Sequence, residues 1–237
     1  MRRLSRIASL IVIALLLASG AGLYWLYRAA GQAPEFYVQA LELPPPQAAA
    51  RGREFERGVL NLNNELRRGG RWQARFSAAQ INGWLAHDLP QKFPGALPPG
   101  ASEPRLAIDA QKIQIACRYH SGGWQSVVSL SAEPYLTGEP NVLAIRIHQA
   151  RVGSLPIPLK QFLDDATHRG AAAGIPLRWT QEGDDPVAII TIPLEREEFP
   201  NHQLIVDQLE LRDGEIVFSG STGASTVQVG DSATLQR

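Results

Sequence analysis

Apolar positions change period twice along this chain, and the changes mark its elements. Residues 51–68 read as a helix, with Phe55, Val59, Leu62 and Leu66 on one stripe and Arg53, Glu54, Arg57 and Glu65 mostly off it. Gly69 and Gly70 stop that helix. In "RFSAAQINGWLAHDLP" Ser77 and Gln80 form a capping box, and Phe76 can staple onto Ile81. Ile81, Trp84 and Leu85 give this second helix its buried face, and Pro90 ends it.

After the Pro/Gly-rich loop 93–104 the period becomes two. Leu106, Ile108 and Ala110 alternate, and Ile113, Ile115 and Cys117 alternate in the opposite parity, so a bulge or turn is expected near Gln111. Residues 124–136 and 141–152 read as two more strands, with a tight turn at Gly122-Gly123 before the first. In "VGSLPIPLKQFLDDATHRG" two prolines halt a strand, and Leu159, Phe162, Leu163 and Ala166 recur at helical spacing over 159–170. "IPLRWTQ", "DDPVAIITIP" and "HQLIVDQLELRDGEIVFSG" follow as strands, the last a hairpin around Asp213-Gly214. The order predicts a single α+β domain with a mostly antiparallel sheet over residues 51–220, and a flexible tail at 221–237.

The N-terminus follows a different rule. Residues 7–27 carry no charge, and 21 helical residues span about 31 Å, the thickness of a bilayer core. Tyr24, Trp25 and Tyr27 stand at its far end, and Arg2, Arg3 and Arg6 precede it against Arg28 alone after it. Residues 1–28 are therefore expected to be a signal anchor with the N-terminus inside and the domain extracytoplasmic, on a bacterial cytoplasmic membrane. "ASGA" at 18–21 leaves a cleaved signal peptide as the rival, although the apolar run continues past it. Residues 29–50 read as a tether stiffened by Pro44, Pro45 and Pro46, in which "EFYVQALEL" could dock as a strand or short helix.

Charge and chemistry narrow the function. Residues 29–237 hold 19 Lys+Arg against 23 Asp+Glu, which argues against a nucleic-acid partner and against a polybasic membrane patch. Cys117 is the only cysteine, so an internal disulfide is excluded, and it reads as a buried, inert thiol. The five histidines have no metal-ligand spacing, and no HExxH, GxSxG or phosphate loop occurs. His87-Asp88 and Asp164-Asp165 read as helix-associated polar residues, and Glu182, Asp184 and Asp185 as a solvated turn rather than a cation site. Trp72, Trp84, Trp124 and Trp179 read as core. Neither a catalytic residue, a metal nor a cofactor is expected.

The anchor, "QINGWLAHDLP", the strand meander, "VGSLPIPLKQFL" and the closing hairpin together resemble YpmS-type bacterial membrane-anchored proteins of unknown function. The residues concerned are Ile81-Asn82 followed by Trp84-Leu85, and the Gly-x-Leu-Pro-x-Pro segment from Gly153 to Pro158. The chain is more distantly similar to tubular lipid-binding-like periplasmic lipoproteins. That resemblance implies a curved sheet wrapping a helix, and an apolar groove for a lipid or other hydrophobic ligand lined by Trp84, Leu85, Leu159, Phe162 and Leu163. The expected function is a non-enzymatic single-pass envelope protein. A membrane-anchored scaffold with a packed core, serving another envelope protein, is the alternative.

Overall fold

The structure is a computed structural model that describes residues 17–158, 163–164, 167–168, 177–194 and 202–224. Its helices are α1 (residues 17–30), α2 (Glu35–Leu41), α3 (Pro45–Arg68), α4 (Ala78–His87) and α5 (Leu89–Lys92). Strand β1 (Gly70–Ser77) lies between α3 and α4. After α5 come β2 (Ala101–Ile108), β3 (Ile113–Ser121), β4 (Trp124–Leu136), β5 (Val142–Val152) and the short β6 (Leu155–Pro156). The chain closes with β7 (Leu177–Glu182), β8 (Asp185–Thr191), β9 (His202–Arg212) and β10 (Glu215–Ala224).

The α+β class and the antiparallel pairing hold, but two sheets replace the expected one. The larger has the order β2-β3-β4-β5-β8-β7, with β6 on β5; the smaller has the order β1-β10-β9. The large sheet is not curled, and its outer strands β2 and β7 do not pair, so it encloses nothing by itself. The reversal of parity near Gln111 is a turn: Asp109 Oδ1 accepts from the amides of Gln111 (2.9 Å) and Lys112 (2.8 Å).

The small sheet depends on a strand with a readable but short signal. Trp72, Ala74 and Phe76 alternate inward along "GRWQARFS", and all three are buried. β10 runs on to Ala224, into the stretch expected as tail, and Thr222 there is fully buried. Ser77 both ends β1 and caps α4: its Oγ accepts from the Gln80 amide (3.1 Å) while Gln80 Oε1 accepts from the Ser77 amide (2.9 Å).

Helices α3 and α4 touch backbone to backbone. A Cβ at Gly83 would lie 2.6 Å from the Ala48 carbonyl oxygen and 2.8 Å from the Gly52 nitrogen. The face that α3 turns inward thus runs through Ala48, Gly52, Phe55, Gly58 and Leu62, whereas Val59 is 43% exposed. Hydrophobicity alone misplaces the stripe because the closest approaches need the smallest residues. Asn82, also on α4, holds the edge of the large sheet: its Nδ2 donates to the Leu106 carbonyl and its Oδ1 accepts from the Leu106 amide, both at 2.8 Å. The side-chain amide supplies what a neighbouring strand would.

Residues 29–50 are not an extended spacer. Pro44 caps α3, and Pro45 and Pro46 occupy its first turn, where proline's fixed φ and missing N–H suit a helix start. Tyr37 of α2 is buried beside Ala116 and Val127, with its hydroxyl donating to the Glu103 carbonyl at 3.0 Å. Ala29 and Ala30, the last residues of α1, are also buried. Ser154 donates to the Ala29 carbonyl through its amide (3.0 Å) and hydroxyl (3.1 Å), and the Ser126 hydroxyl donates to Ala30. Gly153, at φ 61°, leaves room for those carbonyls.

The expected span begins outside the described residues, which start at 17. Among the described residues no helix is long and apolar enough to cross a membrane. The expected helix at 159–170 is described only at residues 163–164 and 167–168, which are helical.

The α3–α4 contact predicts a specific sensitivity. Gly83→Ala should cost about 2–3 kcal/mol because backbone, not a movable side chain, blocks the new methyl. That corresponds to roughly 4–12 °C of melting temperature for a chain of this size. Gly138→Ala, into open space, should leave the midpoint within about 2 °C. Asn82→Ala should lower it as well, since it strands two backbone groups at once.

Candidate functional site

The residues expected to form one groove lie in two places. Trp84 and Leu85 are neighbours on α4, which packs on β2. Leu159 and Phe162 fall outside the described residues. Leu163, half-buried, sits on a helical turn fixed to the opposite edge of the sheet: Thr167 Oγ1 donates to the Leu163 carbonyl (2.8 Å) and accepts from Trp179 Nε1 on β7 (2.6 Å). Five strand spacings of about 4.8 Å, roughly 24 Å, separate β2 from β7 in an uncurled sheet. Among the described residues Trp84 and Leu163 are therefore not brought together; that would have required the sheet to roll up.

At the β2 edge, Leu85 opens onto a cavity of about 510 Å³ between α4, α5 and β2. Leu89, Pro90, Phe93, Leu97 and Pro104 supply most of its apolar wall. The volume lies within the usual 300–1,000 Å³ range of small-molecule sites. Phe93 is 54% exposed at the rim. Trp84 is not among the lining residues but backs the cavity, packing at a tilt against Phe93 (5.9 Å between centroids) and Phe55 (5.8 Å), which in turn meets Phe76 (5.1 Å). Trp84 Nε1 donates to Glu56 at 3.3 Å, and Lys92 bridges Glu56 and Asp88, so a polar seam closes the side away from β2.

One buried cation, Arg105, is among the residues that line the cavity. Arg105 is 8% exposed; its Nε donates to the Ala40 carbonyl (3.3 Å) and its Nη1 to the Pro104 carbonyl (2.7 Å). Among the described residues no carboxylate lies within ion-pair distance of it; Glu103, its neighbour on β2, pairs instead with Arg118 at 2.7 Å. Burial pulls the Arg105 guanidinium below the usual arginine range, with Tyr37 and Glu103 opposing. Burial also pushes the Tyr37 hydroxyl up. Composition and spacing gave no sign of Arg105, which sits in "SEPRLAI" like any strand cation.

Across β4, β5 and β8 several charged groups pair with one another. Arg146 bridges Glu133 and Glu182, Tyr135 donates to Glu182 at 2.9 Å, and His148 lies between Asp185 (2.9 Å) and Glu133 (3.2 Å). The acidic turn at 182–185 is thus tied to the cations of β5. The hollow of about 760 Å³ beside Glu133 and His148 is walled by charged groups, including Lys112 and Glu210. Among the described residues no set of three His, Cys, Asp or Glu side chains could hold a metal ion. Asp88, of the His87-Asp88 pair, is a buried helix cap bound to Lys92. Of the four tryptophans read as core, Trp124 departs, being 37% exposed beside Tyr27 and Arg28 of α1.

Cys117 is half-buried on β3, and burial pushes its thiol up. With so little thiolate at pH 7.5, it should react with a disulfide reagent at least about tenfold more slowly in the folded chain than in guanidinium. Equal rates in both states would show that the β3 face is open.

The chain matches no family model and no curated protein.

Proposed function

We propose that this chain is a non-enzymatic, single-pass envelope protein whose extracytoplasmic domain holds a hydrophobic ligand in the cavity beside α4 and α5. The observation that carries the reading is the open hollow of about 510 Å³ lined by Leu85, Leu89, Phe93 and Leu97, a largely apolar surface of the size that small ligands occupy. In this reading residues 7–27 cross the cytoplasmic membrane with the N-terminus inside. Its described portion keeps Leu17, Leu23, Tyr24, Trp25 and Tyr27 63–71% exposed, a costly face to leave in water. Because α1 ends in hydrogen bonds to Ser126 and Ser154, the domain is held directly at the membrane surface rather than on a loose leash.

The likeness to YpmS-type proteins fits this reading through residues that have structural work to do. Asn82 of the Ile81-Asn82 pair clamps the sheet edge beside the cavity, and Gly153 of the Gly-x-Leu-Pro-x-Pro segment receives the end of α1.

The test is solvent extraction and mass spectrometry of lipid from the full chain purified out of membranes, compared with Leu89→Trp, which fills the cavity from one wall. About one additional bound amphiphile per wild-type chain is expected, absent from a variant with unchanged melting temperature. Identical lipid content in both would remove the cavity as a ligand site and leave the scaffold reading, which the outward-facing Val59 and Leu60 of α3 then favour.

A further inference from the structure

We infer that the ligand of this cavity is a single-chain amphiphile with a carboxylate head, a fatty acid, and that Arg105 is the residue that receives the head. The inference rests on the ligand-binding reading above and goes beyond it by naming the ligand's charge and its anchor.

A buried guanidinium is costly unless its charge is compensated. Among the described residues Arg105 has two acceptors, the neutral carbonyls of Ala40 and Pro104, which take Nε and Nη1 and leave Nη2 without one. Nη2 is not sealed, either. Among the described residues the fully enclosed side-chain polar atoms without a partner are Trp72 Nε1, Asp88 Oδ2 and Thr222 Oγ1, and Nη2 is not one of them. Arg105 contributes to the cavity lining together with Leu85, Leu89, Phe93 and Leu97. One unpaired cation at the wall of an apolar hollow is the complement of one anion on an apolar tail.

The number of charges selects the head. Glu103 lines the same cavity and already answers Arg118, so the local surplus is the single charge of Arg105. A carboxylate carries one negative charge, whereas a phosphate monoester carries about 1.5 to 2 and would need a second cation. The cavity size selects the tail, since about 510 Å³ lies in the lower half of the range for small-molecule sites and favours one chain over two. α2 holds the arrangement in place: Tyr37 pins it to Glu103 while the Ala40 carbonyl fixes Nε, which leaves the far end of the guanidinium for the ligand.

The experiment is native mass spectrometry of the full chain in detergent, incubated with hexadecanoate, hexadecan-1-ol and hexadecyl phosphate at equal concentration. Hexadecanoate should bind at least about tenfold more tightly than the alcohol, the scale of a hydrogen-bonded charge pair. Arg105→Gln should erase that preference while still binding the alcohol, and Arg105→Lys should keep most of it. If hexadecanoate and the alcohol bind equally, or the phosphate binds best, the carboxylate assignment falls and the hydrophobic site stands. If none of the three binds, the ligand-binding reading falls as well. The wild-type comparison decides the matter even if Arg105→Gln does not fold, and Leu89→Trp should abolish all three.

Discussion

The distance at which α4 crosses α3 sets everything around the cavity. At Gly83 and Gly52 the two helices have no side chains between them, so α4 comes close enough for Asn82 to reach the β2 backbone. A helix held that near to a sheet edge removes two orphan backbone groups from water and closes the edge against other strands. It also aims the next turn, carrying Leu85, and α5 beyond it over the end of β2. There the aromatic series Phe76–Phe55–Trp84–Phe93 runs from the small sheet to the rim of the hollow. Close packing on one side of α4 and an opening on the other are one arrangement.

A second asparagine joins the two sheets. Asn141, at φ 58° and fully buried, donates from Nδ2 to the Leu204 carbonyl (2.5 Å) and accepts at Oδ1 from the Val206 amide (2.8 Å). Asparagine tolerates that left-handed backbone better than most residues, so one position both turns the chain into β5 and latches β9. At the other end the Gly214 amide donates to the Ile108 carbonyl at 2.9 Å, and Ala74, Phe76, Ile108 and Ile216 form a core drawn from both sheets. The small sheet thereby packs against the start of α4, where the Ala78 amide donates to the Gly214 carbonyl at 2.7 Å.

Electrostatics divide the molecule. Around Arg146 and His148 each acid has a basic partner within reach, half-exposed, where pairs contribute little to stability. Arg105 is the opposite case, with few partners and little water. A protein that folds from its own interactions alone has no reason to keep a buried cation short of acceptors, because an apolar residue of similar size would fit more cheaply. In the reading proposed above, a ligand carboxylate completes the pair.

The sequence by itself determined the local structure: the capping box at Ser77 and Gln80, the turns at Gly122-Gly123 and Asp213-Gly214, and the antiparallel α+β class. Each follows from residues within a few positions of one another. It also placed Ile81, Trp84 and Leu85 together on one helix, since helical periodicity is a local signal. It missed β1, whose three inward residues occupy a short run between two helices, and it took Pro44–Pro46 for a spacer because prolines open helices and stiffen tethers equally well. Only the tertiary structure decided that the chain forms two sheets, that the large one stays open, and that Leu85 and Leu163 belong to opposite edges. Those outcomes depend on pairings as distant as β1 with β10, and on where glycines let helices touch. The role of Arg105 is of the same kind: a strand arginine becomes a candidate anchor only when folding buries it beside a hollow and leaves its charge unanswered.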